Sequence, residues 1–224
     1  MNKVKLTGVL MGLDFSHESH KEKFYTGYIA TKRTSGIDDV VPVTISERIL
    51  DNNVINSQRI SIEGEFRSYN KFVDGKSRCV LSVFVKSFSE PTEKDENIIE
   101  LQGFICKNSE CRVTPQNRRI TDIIVAVNRL TKKSDYIPCI VWNDKAEYVS
   151  KFDVGTEVSV VGRVQSREYN KVISNGSIQK RIAYEVSISE IGKVEPDELE
   201  ELEDFEDLDD LFSGMEDIDG ETDK

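Results

Sequence analysis

The sequence predicts an all-β protein: two tandem barrels of five strands each, with a short helix between the third and fourth strands of each, followed by a disordered acidic tail. Three observations lead there. Short runs of β-branched and aromatic residues alternate with polar turns, the order of these runs occurs twice, and the acidic charge is concentrated in the last thirty residues.

The first strand is Val4 to Leu10, loosely alternating around Gly8, whose mid-strand position marks a bulge or bend. Tyr25 to Thr31, Val40 to Ile45, Arg59 to Phe66 and Cys79 to Phe88 follow, each rich in residues that suit a pleated, half-buried surface. A short helix is expected over Glu47 to Asp51, between the third and fourth of these runs. Among the aromatics, Phe24, Tyr25, Tyr28, Phe66, Tyr69 and Phe72 are expected mostly to fill the barrel, with Tyr69 and Phe72 as candidates for a surface role.

The order then repeats. Ile99 to Ile105 echoes the first strand, with Gly103 in the place of Gly8. Arg33 precedes Pro42 by nine residues, as Arg129 precedes Pro138. Ile60 to Gly64 resembles Val158 to Gly162, and Tyr69-Asn70-Lys71 recurs as Tyr169-Asn170-Lys171. The first and last of these glycines are 56 residues apart in one copy and 59 in the other. The expected organisation is a diverged domain over 1–90, a linker over 91–97, a second domain over 98–194, and a tail over 195–224.

Five strands with a helix between the third and fourth is the order of the OB-fold, a small Greek-key barrel. A sandwich of the immunoglobulin type needs about seven strands per copy, more than are present. The polar segments Leu13 to Lys23 and Asn108 to Arg118 would be loops joining the first two strands of each copy.

The formal charge of −11 argues at first against a polyanionic partner. Residues 195–224, however, hold sixteen acidic residues and one lysine, a net of −15, which leaves +4 on the remaining 194 (29 basic against 25 acidic). The chain therefore divides into a mildly basic body and a tail too acidic to bury a core. Leu199, Leu202, Phe205, Leu208, Leu211, Phe212 and Met215 punctuate that tail mostly at three-residue spacing, as a docking segment for basic protein partners would.

Other classes are excluded. No apolar run approaches the ~18 residues of a membrane span, and Met1-Asn2-Lys3-Val4 opens no signal peptide. Four cysteines without an export signal point to free thiols and a reducing cytosol. Cys79 and Cys139, in apolar runs, are expected to be buried, and Cys106-x4-Cys111 lacks the second ligand pair of a zinc site. His17 and His20 lie in a polar run that reads as a solvated loop. With no Gly-rich phosphate loop, no metal cluster and no nucleophile beside a base, neither catalysis nor a cofactor is expected.

A single-strand binder needs cations along the phosphates and exposed aromatic faces for the bases. In Asp135-Tyr136-Ile137-Pro138-Cys139-Ile140-Val141-Trp142 the six-residue spacing puts Tyr136 and Trp142 on one face of a strand, opposite Ile137, Cys139 and Val141. Arg118, Arg119, Arg129, Lys132, Lys133, Arg163, Arg167, Lys171, Lys180 and Arg181 supply positive charge. By themselves these features also fit a strand packed in a core and a solvated surface.

The blocks Val125 to Arg129, Asp135 to Trp142, Ala146-Glu147 and Gly162 to Tyr169 resemble the bacterial single-stranded DNA-binding protein family in order and spacing. The resemblance implies that Tyr136 and Trp142 stack on bases and that Arg129, Arg167 and Tyr169 lie in or near the groove. Arg163, Lys171 and Arg119 are added as cations of the same domain. It further implies an acidic tail that recruits replication or repair proteins, here through Asp209-Asp210-Leu211-Phe212, although this tail continues twelve residues beyond Phe212. A dimer of this chain would present four barrels. In the first copy Val40 and Ser46 stand where Tyr136 and Trp142 stand, so that domain is expected to serve assembly or an auxiliary site. The function expected is sequence-independent single-stranded DNA binding in the cytoplasm, associated with the nucleoid. A primosome-type protein scaffold or an RNA binder on the same barrels is the alternative.

Overall fold

The computed structural model describes residues 1–50, 58–73, 76–108, 110–172 and 177–194; the side chains of 72, 73, 76–78, 108, 171 and 172 are outside that description, as is the acidic tail. Residues 1–194 form one compact unit.

The first barrel comprises β1 (Asn2–Ser19), β2 (Glu22–Lys32), β3 (Asp38–Ser46), β4 (Arg59–Val73) and β5 (Lys76–Ser89). Their hydrogen-bonded order is β2-β3-β5-β4-β1, and β1 closes the barrel by pairing with β2 as well. The second comprises β6 (Glu96–Asn108), β8 (Arg119–Asn128), β9 (Ser134–Trp142), β10 (Glu157–Val172) and β11 (Ile178–Lys193), closed in the same order by β6 pairing with β8. The third and fifth strands pair in parallel in both, through Val43 with Val83 and Cys139 with Val186. A two-residue strand, β7 (Arg112–Val113), lies against β8 in the loop expected over Asn108 to Arg118.

Each first strand serves two sheets. The early part of β1 pairs with β4 and its later part with β2, and Gly8 lies at the changeover. A Cβ there would meet the Ala30 carbonyl oxygen at 2.2 Å, and one on Gly103 would meet that of Ala126 at 2.3 Å. The bend expected at these glycines is thus a close passage of two backbones that any side chain would obstruct. β1 also pairs antiparallel with β6, Val4 opposite Ile99, which joins the barrels through a continuous sheet.

Aliphatic side chains fill both interiors. Leu6, Leu10, Ile29, Val43, Ile62 and Phe66 are fully buried in the first barrel, and Leu101, Ile105, Val125, Ile137 and Val160 in the second. The helix α1 (Asp144–Val149) between β9 and β10 buries Ala146 and Val149, and Thr121 Oγ1 donates to the Ala146 carbonyl at 2.8 Å.

Four expectations need correction. The helix over Glu47 to Asp51 is a single turn through Leu50, in which the Ile49 and Leu50 amides donate to the Ser46 carbonyl. The Ser46 hydroxyl accepts the Arg48 amide, a side-chain bond that competes with helix propagation. Residue 51 lies outside the described residues.

Secondly, Leu13 to Ser19 is strand rather than loop. β1 runs on into a hairpin with β2 whose two turn residues, His20 and Lys21, both have positive φ (51° and 63°). Thirdly, of the first barrel's aromatics only Phe66 is core among those described. Phe24 and Tyr25 are half-buried and Tyr28 is exposed, because branched aliphatics already occupy the inward positions, while Tyr69 is exposed, as a surface role for it requires. Fourthly, Cys79 is exposed, whereas Cys139 is buried.

The chain crosses between barrels over Glu90 to Asp95, and β6 begins at Glu96, inside the segment read as linker. Arg59 holds this crossing. Its Nε donates to the Thr92 carbonyl at 2.7 Å and its Nη1 to Asp95 at 2.6 Å.

Candidate nucleic-acid interface

β8 and β9 pair from Ile120–Trp142 to Asn128–Ser134 without a register shift. Tyr136, Pro138, Ile140 and Trp142 therefore share the outer face, while Ile137, Cys139 and Val141 point into the core. Tyr136 is 54% exposed. Trp142 is half-buried, and its indole Nε1 donates to Ser187 Oγ on β11 at 3.3 Å. One ring is thus open to solvent, and the other is held in orientation by its own polar atom.

The cations differ in how free they are. Arg119 is bound to Asp144 at 2.7 Å and to Glu147, both on α1. Arg167 Nε lies 3.3 Å from Glu185, which also accepts from Gln165 Nε2 at 2.7 Å. Tyr169 is exposed and faces Arg181 across the β10–β11 pair. The Lys171 side chain and Asp209, Asp210, Leu211 and Phe212 lie outside the described residues.

Arg129 and Arg163 belong to a contact between the barrels. Arg129 Nε donates to Asp135 Oδ2 at 2.7 Å, and Asp135 Oδ1 accepts the Ser68 amide of the first barrel at 2.6 Å. Arg129 Nη2 reaches the Ser68 carbonyl at 3.1 Å, and the Tyr136 amide donates to Ser68 Oγ at 2.8 Å. The same arrangement occurs with the barrels exchanged. Arg33 binds Asp39 at 2.7 Å, Asp39 accepts the Ser166 amide at 3.0 Å, and the Val40 amide donates to Ser166 Oγ at 3.0 Å.

Asn2 and Asn97 add a second matched pair. Asn2 exchanges two hydrogen bonds with the Phe66 backbone, both 2.9 Å, and Asn97 does so with Val164 at 2.7 and 2.9 Å. Each carboxylate stabilises its guanidinium, mainly by hydrogen bonding, so Arg33 and Arg129 are both pushed above the ordinary arginine range. Arg163 lies 3.5 Å from the same Asp39, and burial together with Arg33 pushes it down.

These contacts realign the two copies. Ser68 and Ser166 occupy the same place, so Tyr69 corresponds to Arg167, and Tyr169 lies two residues farther along its strand. The Tyr-Asn-Lys recurrence is therefore not in structural register. Sequence reasoning missed Ser68, Ser166, Asn2 and Asn97. The six-residue interval from Arg33 to Asp39, repeated from Arg129 to Asp135, was the available signal.

Between the barrels is a groove of about 1140 Å³ lined by Tyr28, Tyr69, Tyr136, Tyr169 and Tyr184, with Arg129, Lys133, Glu185 and Cys79. Tyr28 and Tyr69 come from the first barrel and the other three tyrosines from the second. Burial raises the phenol pKa of Tyr69, and burial plus neighbouring Tyr28 raises that of Tyr184, so both rings stay neutral well into the alkaline range. Neutral aromatic faces beside guanidinium and ammonium groups have the chemistry that base stacking and phosphate pairing require.

Two closed barrels of this strand order, an aromatic outer face on β9 and an aromatic groove define a protein of the OB-fold class. Residues 96–194 match the model of the single-strand binding protein family. Over 80 residues the chain is 35% identical to single-stranded DNA-binding protein 1 of Lactococcus lactis, an alignment covering 33% of this chain and 53% of that one. Over 107 residues it is 31% identical to single-stranded DNA-binding protein A of Bacillus subtilis, covering 45% and 60%. The chain thus spans roughly half to three-fifths of the length of these relatives. The crystal structure of the single-stranded DNA binding protein from Thermus aquaticus superposes with a TM-score of 0.69 at 19% identity, covering 88% of this chain and 94% of that one. That likeness extends the fold comparison over both barrels.

Proposed function

We propose that this chain is a sequence-independent single-stranded DNA-binding protein. The observation that carries the reading is the outer aromatic face of β9, with Tyr136 exposed and Trp142 half-buried, beside the tyrosine-lined groove. The match of residues 96–194 to the model of the single-strand binding protein family supports it. Bases stack on Tyr136, Trp142 and Tyr169, while Arg167, Lys133 and Lys171 follow the phosphates. Arg129, Arg163 and Arg119, committed to Asp135, Asp39 and the helix α1, position the surface more than they grip the strand. The second domain, 98–194, is the main binding unit, and residues 195–224 present Asp209, Asp210, Leu211 and Phe212 to basic protein partners in replication or repair.

Stacking is indifferent to base identity because every base has a π-face, and phosphate pairing releases counterions, so affinity falls as salt rises. Trp142 is the only tryptophan, which makes its fluorescence a reporter of the site. Oligo-dT is expected to quench it strongly, with recovery at high salt. No quenching, together with tail-dependent capture of purified replication proteins, would replace this reading with a protein scaffold. Equal quenching by a matched RNA oligomer would extend the ligand class to RNA.

A further inference from the structure

The first barrel lacks aromatics at Val40 and Ser46, yet its face is not bare of them. Ser46 pairs with Phe24 on β2 in the register in which Trp142 pairs with Ile120 on β8. Thr44 pairs with Phe84 on β5 in the register in which Ile140 pairs with Ser187 on β11. Two rings therefore flank the place that Trp142 occupies in the other barrel, one on each neighbouring strand. Their centroids are 6.0 Å apart, and both rings are half-buried.

The surroundings suit a nucleic-acid strand. His17, placed in the extended hairpin, stacks on Phe24 at 5.0 Å and 15°. The Arg67 guanidinium lies over the Phe84 ring at 4.0 Å while also binding Glu65 Oε2 at 2.7 Å. These rings open on a depression of about 530 Å³ that Lys71 and Arg129 also line, and among the described residues no carboxylate side chain lines it. Arg129 lines both this depression and the tyrosine groove, so the two surfaces meet at its guanidinium.

We propose that the first barrel carries a displaced base-stacking platform for single-stranded DNA, built from Phe24 and Phe84 instead of third-strand aromatics. Lys71 takes the phosphates, Arg67 holds the Phe84 ring in place, and the strand passes beside Arg129 onto the second barrel. The inference rests on the single-stranded DNA reading above and adds a second site to it.

The test uses the full chain with two lengths of oligo-dT: one of roughly 10 nucleotides, which fits a single barrel, and one about three times longer. The double variant Phe24→Ala/Phe84→Ala and, separately, Lys71→Glu are expected to leave quenching of Trp142 by the short oligomer unchanged. Each is expected to weaken binding of the long one at least about fivefold, as loss of a stacked base or a phosphate contact does. Lys71→Glu alters an exposed residue and decides the matter if the double variant fails to fold. Phe84→Trp in a Trp142→Phe background gives an independent reading, since its fluorescence should be quenched by the long oligomer. Unchanged long-oligomer affinity in the folded variants, with no quenching at Phe84→Trp, overturns the platform and leaves the second-barrel site standing. Failure of the unmodified protein to bind either oligomer overturns the DNA reading, and the platform with it.

Discussion

The two ends of the inter-barrel contact have the same hydrogen bonds and different charges. At one end Asp39 serves both Arg33 and Arg163; at the other, among the described residues, Arg129 is the one cation paired with Asp135, and Glu65 takes the place of Arg163. Ser68 and Ser166 make the same set of bonds, the amide to the carboxylate at 2.6 and 3.0 Å, although the charges around them differ. The two copies share the carboxylate, its arginine and the serine, and differ at the neighbouring position, Arg163 in one and Glu65 in the other.

The largest effect expected is at these carboxylates, which are both about 1% exposed. Removing one partner of a buried pair leaves a guanidinium unpaired, at a cost of roughly 3–5 kcal/mol, toward the lower figure here because the arginines are partly exposed. Asp135→Ala is therefore expected to lose about 3 kcal/mol of unfolding free energy in a denaturant titration. Asp39→Ala should lose more, because it strands Arg33 and Arg163 together. Equal losses would show that Arg163 contributes nothing to the contact, and the asymmetry would then have no energetic meaning.

Next in size is the contrast between the faces of β9 and β3. Trp142→Ala and Tyr136→Ala should each weaken oligo-dT binding by about tenfold or more, since a stacked base is worth roughly 1–3 kcal/mol. Filter binding or calorimetry can measure this where the fluorescent reporter is lost. Val40→Ala, at the place equivalent to Tyr136, should change affinity by less than about twofold. A larger loss at Val40 would move part of the site onto β3.

The smallest effect concerns the crossing between barrels. Burial favours the neutral acid at Asp95, but the Lys32 amide and the Arg59 guanidinium outweigh it and hold the carboxyl below its usual range. A lowered folded pKa means stability present above the ordinary aspartate range and lost as pH falls through the folded value. Asp95→Asn should therefore cost no more than about 1 kcal/mol at neutral pH and should narrow its difference from the unmodified protein in acid. A difference that grew as pH fell would contradict the assignment.

Legibility followed range of interaction. Strand order, the doubling and the shared face of Tyr136 and Trp142 depend on period two and on local composition, so they could be read from the chain. The placement of Phe24 beside Ser46 and Phe84 beside Thr44 depends on which strand lies next door, and no linear pattern states that. His17 looked like loop because Ser16-His17-Glu18-Ser19-His20 is polar throughout; only pairing with β2 makes it strand. The inter-barrel contact is half visible in the sequence, as a repeated arginine-to-aspartate interval whose serine partners lie more than sixty residues away.

The antiparallel union of β1 with β6 has one more consequence. When two identical chains meet about a two-fold axis, every substitution is made twice, and a residue that improves one end of the contact must suit the other. Here both sides are encoded separately within one polypeptide. The meeting of the barrels is an intramolecular event, independent of protein concentration, and each half is free to accept changes that an exact symmetric pairing would forbid.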